Sequence, residues 1–257
     1  MIDVKSAKEE FIKYRNLFDK NNANIERKYI HTINVMEISG IIASSLNLKE
    51  EEINLAKLIG LLHDIARFEE YKDEKEEKTF INFKKYNHAN KGIEILKENN
   101  FIRKFTPEKE YDDIIFTAIR NHNKNRIQEN LSKKEILFCN ILRDADKIDI
   151  FRLATTTYWK NEFKQIEYGK INEDMLNEFC NHRTIDISKF PEKTQIDKLI
   201  KILALIYDLN YKKSFEILSE HNYFNKIIER FNFYKEETNE KMKIVKKIGN
   251  DFINSKL

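Results

Sequence analysis

The chain has 257 residues, enough for one large domain or two small ones. Hydrophobic residues make up 41% and charged residues 35%, with only 5 glycines and 2 prolines, too few turn residues for the hairpins and strand–helix loops of a sheet protein. The 46 basic and 43 acidic residues leave a formal net charge of +3, which excludes a chain-wide electrostatic footprint for nucleic acid or an anionic membrane.

The opening MIDVKSAKEE has no apolar stretch after its charges, and no apolar run approaches the roughly 18 residues of a membrane span. A soluble, cytoplasmic protein is expected. Ile30, Val35, Ile38, Ile42 and Leu46 then follow a helical period, as do Leu55, Ile59 and Leu62 in the next segment. The polar stretch EEYKDEKEEKTF, from Glu69 to Phe80, reads as a solvated loop or a short exposed helix. Further helices are expected over 88–100, 108–124, 133–157, 172–181, 194–209, 211–221, 223–235 and 237–253, with Pro107 and Pro191 near helix starts. The Lys-rich end KMKIVKKIGNDFINSKL alternates apolar and basic groups at helical spacing, the pattern of a packed helix with a solvated face. Cys139 and Cys180 lack CxxC spacing and form no disulfide framework, which fits a reducing compartment. The expected fold is all-α, a single domain in which the last hundred residues form a helical extension packed on the first part.

Placing the histidines on these helices gives the central observation. His31 shares a face with Val35, Ile38 and Ile42; His63 follows Leu62 at the end of an apolar helix; His88 shares a face with Gly92, Ile95 and Leu96. His122 follows Tyr111, Ile115 and Ala118 at four-, three- and four-residue steps, and Asp146 lies on the face of Cys139, Leu142 and Ile150. Four of the six histidines and at least one aspartate thus point toward apolar surroundings from five helices. Burying an unpaired carboxylate costs several kcal/mol, comparable with a protein's whole stability margin, unless a positive group compensates. A metal ion compensates several such groups at once. Taken singly, each histidine reads as a hydrogen-bonded core residue, and Asp146 as an ion-paired one with Arg143 or Lys147 nearby; that reading needs five separate coincidences of position. Imidazole and carboxylate together suit Mn, Fe, Co, Ni or Zn better than Mg, which prefers oxygen.

The order His31, His63-Asp64, His88, His122, Asp146 resembles the HD-domain metal-dependent phosphohydrolase superfamily, in its H…HD…H…H…D branch. The surrounding blocks LLHDIARFEEY, NHANKGIEIL, AIRNHNK and ILRDADKIDIF are similar to bacterial HD-domain hydrolases, and LIYDLNYKKSFEIL resembles a C-terminal block of that subgroup. The resemblance covers roughly residues 25–155, the expected metal-binding core, with 156–257 as the helical extension. It implies that His31, His63, Asp64 and Asp146 hold one divalent ion, and that Asp64 bridges to a second held by His88 and His122. It also implies hydrolysis of a phosphate ester or anhydride in a small molecule, with nucleotide as the expected substrate. Arg67, one turn after His63, and Lys147, beside Asp146, are candidate phosphate clamps; each also reads as a surface charge.

Two other classes stay open: a di-iron oxygenase on the same helical site, and a non-catalytic nucleotide-sensing module. A complete ligand set speaks against the second, because sensing has no need of a water-activating cluster. His182, Arg183 and His221 read as caps or packing residues, Asp208 as a structural hydrogen-bonding group, and Glu69 and Glu70 as part of the charged stretch. No nucleic-acid or membrane partner is expected, and nothing in the sequence fixes the oligomeric state.

Overall fold

The computed structural model describes residues 2–73, 87–156, 163 and 165–257. Among them lie twelve α-helices and no β-strand, so the fold is all-α. The chain divides into two compact units, Met1–Asp146 and Lys147–Leu257, with the division inside one long helix.

The first unit opens with α1 (Val4–Arg15), capped by Asp3, whose carboxylate accepts from Ser6 N at 3.0 Å. The sequence reading assigned no helix here, although Ala7, Phe11 and Tyr14 form its buried stripe. Phe11 meets Phe68 edge-on, with ring centroids 5.6 Å apart. Helix α2 (Ala23–Ser45) begins where Asn22 Oδ1 accepts from Asn24 N and Ile25 N, and it packs most extensively against α3 (Glu50–Leu62). Gly60 permits that packing: a Cβ there would lie 2.9 Å from Met36 Cα and 3.0 Å from Val35 O. Ile30, part of the expected apolar stripe of α2, is 43% exposed and lies off the buried face.

Helix α4 (Arg67–Asp73) takes up the first residues of the polar stretch; 74–80 lie outside the described residues. Helix α5 (His88–Lys97) is shorter than the expected 88–100 because the backbone leaves helical geometry at Glu98, with ψ of 127°, and then turns left-handed at Asn99 and Asn100, with φ of 48° and 56°. A 3-10 stretch (Glu98–Lys104) follows, then α6 (Asp112–Asn121), which starts later than expected, after the turns that follow Pro107. Helix α7 (Lys133–Ala154) carries the division between the units.

The second unit contains the end of α7, then α8 (Glu173–Cys180), α9 (Gln195–Leu203), α10 (Lys212–Glu220), α11 (Tyr223–Ile228) and α12 (Glu236–Asn254). The helix expected over 194–209 changes to 3-10 geometry at Ala204–Asp208, and the one expected over 223–235 stops at Ile228. Buried Asp197 ties the start of α9 to the start of α8, its carboxylate accepting from Thr194 N, Lys193 N and Asn172 N. The Lys-rich end is α12, with Met242, Val245, Gly249 and Ile253 buried, while Lys243 and Lys247 pair on the exposed side with Glu240 and Asp251. His182 stacks on Tyr207 and His221 on Tyr223, in keeping with packing roles. Cys139 is buried in the first unit and Cys180 half-buried in the second; both are free thiols. No helix among the described residues is long and apolar enough to cross a membrane.

Candidate metal centre

The first unit brings all six expected ligands together. His31 comes from the middle of α2, His63 caps the C-terminus of α3 with Asp64 next to it, His88 is the first residue of α5, His122 caps the C-terminus of α6, and Asp146 lies on α7. The placement follows from local signals. Asn87 Oδ1 accepts from Ala89 N and Asn90 N, which fixes where α5 starts and therefore where His88 stands. At the end of α6, Arg143 donates to the carbonyls of Asn121 at 2.8 Å and Lys124 at 2.6 Å, holding the chain on both sides of His122. That guanidinium, one of the sequence's candidate partners for Asp146, is thus drawn to a helix C-terminus, where a cation is favoured.

Asp64 is the hub. Its Oδ2 lies 3.5 Å from His63 Nε2 and 3.7 Å from His31 Nε2, while its Oδ1 lies 3.5 Å from His88 Nε2 and 3.8 Å from His122 Nε2. Asp146 Oδ1 stands 3.1 Å from His31 Nε2 and 3.8 Å from His63 Nε2. The ligand atoms of His31, His63 and Asp146 lie within 4.8 Å of one another, as do those of His63, Asp64 and His122.

The tautomers follow from the backbone. His63 Nδ1 is 2.7 Å from Gly60 O and His122 Nδ1 is 2.6 Å from Ile119 O. A carbonyl only accepts, so each Nδ1 carries the proton and each Nε2 presents a bare lone pair to the centre. His63 Nε2 is buried without a hydrogen-bond partner, a costly arrangement that a bound cation would relieve. His122 Nε2 faces His88 Nε2 at 3.1 Å, a contact that needs either a shared proton or a shared cation. Four imidazoles and two carboxylates therefore fit a divalent transition metal, oriented through the carbonyls as metal-binding histidines usually are.

Electrostatics prepare the same set for a cation. Burial pushes the pKa of His88 and of His122 down to about 4 and also lowers that of His63, so all three imidazoles are neutral at pH 7. Burial alone would raise the Asp64 carboxyl, but Lys28, His63, His88 and Arg67 together hold it well below the usual range. Asp146 is likewise lowered against its burial, by the hydrogen bond and charge of His31 and by His63 and His122.

Of the two candidate clamps, Arg67 is half-buried, pairs with Glu70 and lies over the Tyr71 ring at 5.4 Å. Asp64, Tyr71 and Glu70 outweigh burial and raise its pKa. Lys147 is buried and paired with Asp208 at 2.8 Å, which gives Asp208 the structural role expected of it. Neither clamp is a plain surface charge. The sequence reading missed Lys28, whose Nζ lies 2.6 Å from Asp64 Oδ2. Its spacing of three residues before His31, which sets both on one helix face, was the available signal.

The model of one protein family, the HD domain, matches residues 29–150. No curated protein and no solved structure matches the chain. HD domains bind divalent metals, and the family includes metal-dependent phosphohydrolases. The matched stretch holds all six clustered side chains, and it is over residues 29–150 that the chain is similar to the HD-domain family.

Proposed function

We propose that the chain hydrolyses a phosphate ester or anhydride bond of a small molecule, with a nucleotide as the expected substrate, in a reaction dependent on one or two divalent transition-metal ions. The observation that carries this reading is the division of Asp64, with one oxygen toward His31 and His63 and the other toward His88 and His122. In the reading His31, His63, Asp64 and Asp146 hold one ion, and Asp64, His88 and His122 hold the other. Divalent ions there would supply Lewis acidity, polarising a phosphoryl oxygen and making water acidic enough to serve as nucleophile near neutral pH.

The chain's own groups do the rest. Asp64 and Asp146 bring the negative charge that retains cations, and the Nδ1–carbonyl bonds of His63 and His122 keep the nitrogens aimed without reorganisation. In this reading Arg67, whose charge interacts with that of Asp64, holds a phosphoryl oxygen with its planar fork. Lys147 is a second proposed phosphate contact, its ammonium steadied by Asp208.

The test is metal analysis of anaerobically purified protein, then assay of nucleotides and phosphate esters with Mn, Fe, Co, Zn and Mg. Release of phosphate, pyrophosphate or nucleoside with a transition metal is the expected result. Dioxygen uptake by the iron form without phosphate release would instead assign an oxygenase. Nucleotide binding without turnover under any metal would assign a sensing module.

A further inference from the structure

The ion pair between Lys28 and Asp64 lies inside the proposed centre and on one side of it. Lys28 Nζ meets Oδ2, the oxygen turned toward His31 and His63, whereas Oδ1 faces His88 and His122. The lysine side chain is only 14% exposed and the carboxylate 4%, so the pair is screened far less than a surface salt bridge. Lys28 reaches this place because it stands one turn before His31 on α2, and both therefore face the same interior.

A divalent cation ligated by Asp64 Oδ2 would stand close to the ammonium held there at 2.6 Å, and the two positive charges would repel each other in a site with little solvent to screen them. We propose that Lys28 is a positioning residue that stands in for the ion on the His31 and His63 side of Asp64, so that metal binds there only by displacing it. The inference rests on the metal-binding reading above. Lys28 keeps Asp64 compensated and aimed while the centre is without metal, and by competing for Oδ2 it weakens binding on that side. The consequence is an order of loading: the Oδ1 side, with His88 and His122, takes its ion without breaking the pair, and the Oδ2 side fills second.

The experiment titrates Mn(II) into metal-free protein by calorimetry, for the wild type and for Lys28→Met, Lys28→Gln and Lys28→Arg, with urea unfolding of each metal-free protein alongside. Lys28→Met and Lys28→Gln are expected to bind Mn(II) about tenfold more tightly at the weaker step, and to unfold at lower urea than the wild type when metal-free. Lys28→Arg, which keeps the charge, should stay within about threefold of the wild type. Glutamine retains a donor for Asp64, so that variant reports on charge even where methionine prevents folding. Unchanged or weaker Mn(II) binding in the folded neutral variants would overturn the proposal while leaving the metal site intact. A wild type that binds no Mn(II), Fe(II), Co(II) or Zn(II) would instead overturn the metal-binding reading itself.

Discussion

At the scale of single residues, the centre is a set of groups that are expensive to bury and that offset one another only in combination. Asp64→Asn keeps the shape and removes the charge, and it should abolish phosphate release and reduce bound metal while leaving helicity nearly unchanged; near-normal turnover would remove Asp64 from its assigned role. His88→Ala and His122→Ala should each lower metal content from about two ions per chain to about one. Full metal content with lost activity would make these two imidazoles substrate contacts. The acid sensitivity of the metal-free protein follows from the same histidines. Their folded pKa of about 4 lies below the ordinary 6.5, so between these values the unfolded chain binds more protons than the folded one. Stability therefore falls as the pH is lowered from about 6.5 toward 4, on the order of 1 kcal/mol per unit for each such histidine. Urea unfolding at pH 6.5 and 4.5 checks this, and equal midpoints would contradict it. Five of the six clustered residues, the four histidines and Asp146, were legible in the sequence from their apolar helical neighbourhoods, whereas Asp64 was legible only through the resemblance of the whole order to a family pattern. Lys28 was not, since a lysine among Arg27, Tyr29 and Ile30 looks like any solvated helix position until Asp64 is seen beside it.

At the scale of elements, the position of each ligand depends on where a helix begins or ends. His63 and His122 both sit at helix C-termini, and both rings fold back onto the carbonyl three residues earlier. Gly60 serves twice in this arrangement: it lets α3 approach α2, and its carbonyl holds the His63 proton. Gly60→Ala would force a methyl group against Met36 and Val35 backbone atoms, with an expected loss of about 1–3 kcal/mol in stability. Because α2 and α3 carry His31 and His63, metal affinity should fall in the same variant. Calorimetric melting and metal titration measure the two effects together, and a variant equal to the wild type in both would contradict the account. Helix existence was readable from the 3.6-residue period, but helix ends were not. The backbone leaves α5 at Glu98 and turns left-handed at Asn99 and Asn100, and the polar run of these three residues gives no apolar signal by which to see it. Likewise α1 shows only a sparse apolar signal, since its buried stripe of Ala7, Phe11 and Tyr14 is interleaved with charged residues.

At the scale of the whole molecule, the all-α class followed from the scarcity of glycine and proline, whereas the division at Asp146 and Lys147 leaves no mark in the sequence, because it falls inside a continuous helix. The proposed metal ligands all belong to the first unit. Each unit also contains a single thiol: Cys139 on α7 in the first, whose pKa burial pushes up to about 12, and Cys180 at the end of α8 in the second. A thiol so buried reacts with an alkylating reagent only when its surroundings open, so labelling rate becomes a clock for local unfolding. Cys139 thus gives the first unit such a clock, and the half-buried Cys180 serves as a more accessible reference thiol in the same native sample. Addition of divalent metal should slow modification of Cys139 several-fold and leave Cys180 at its metal-free rate, as followed by mass spectrometry of the separated peptides. Equal slowing of both thiols would contradict a metal effect confined to the first unit.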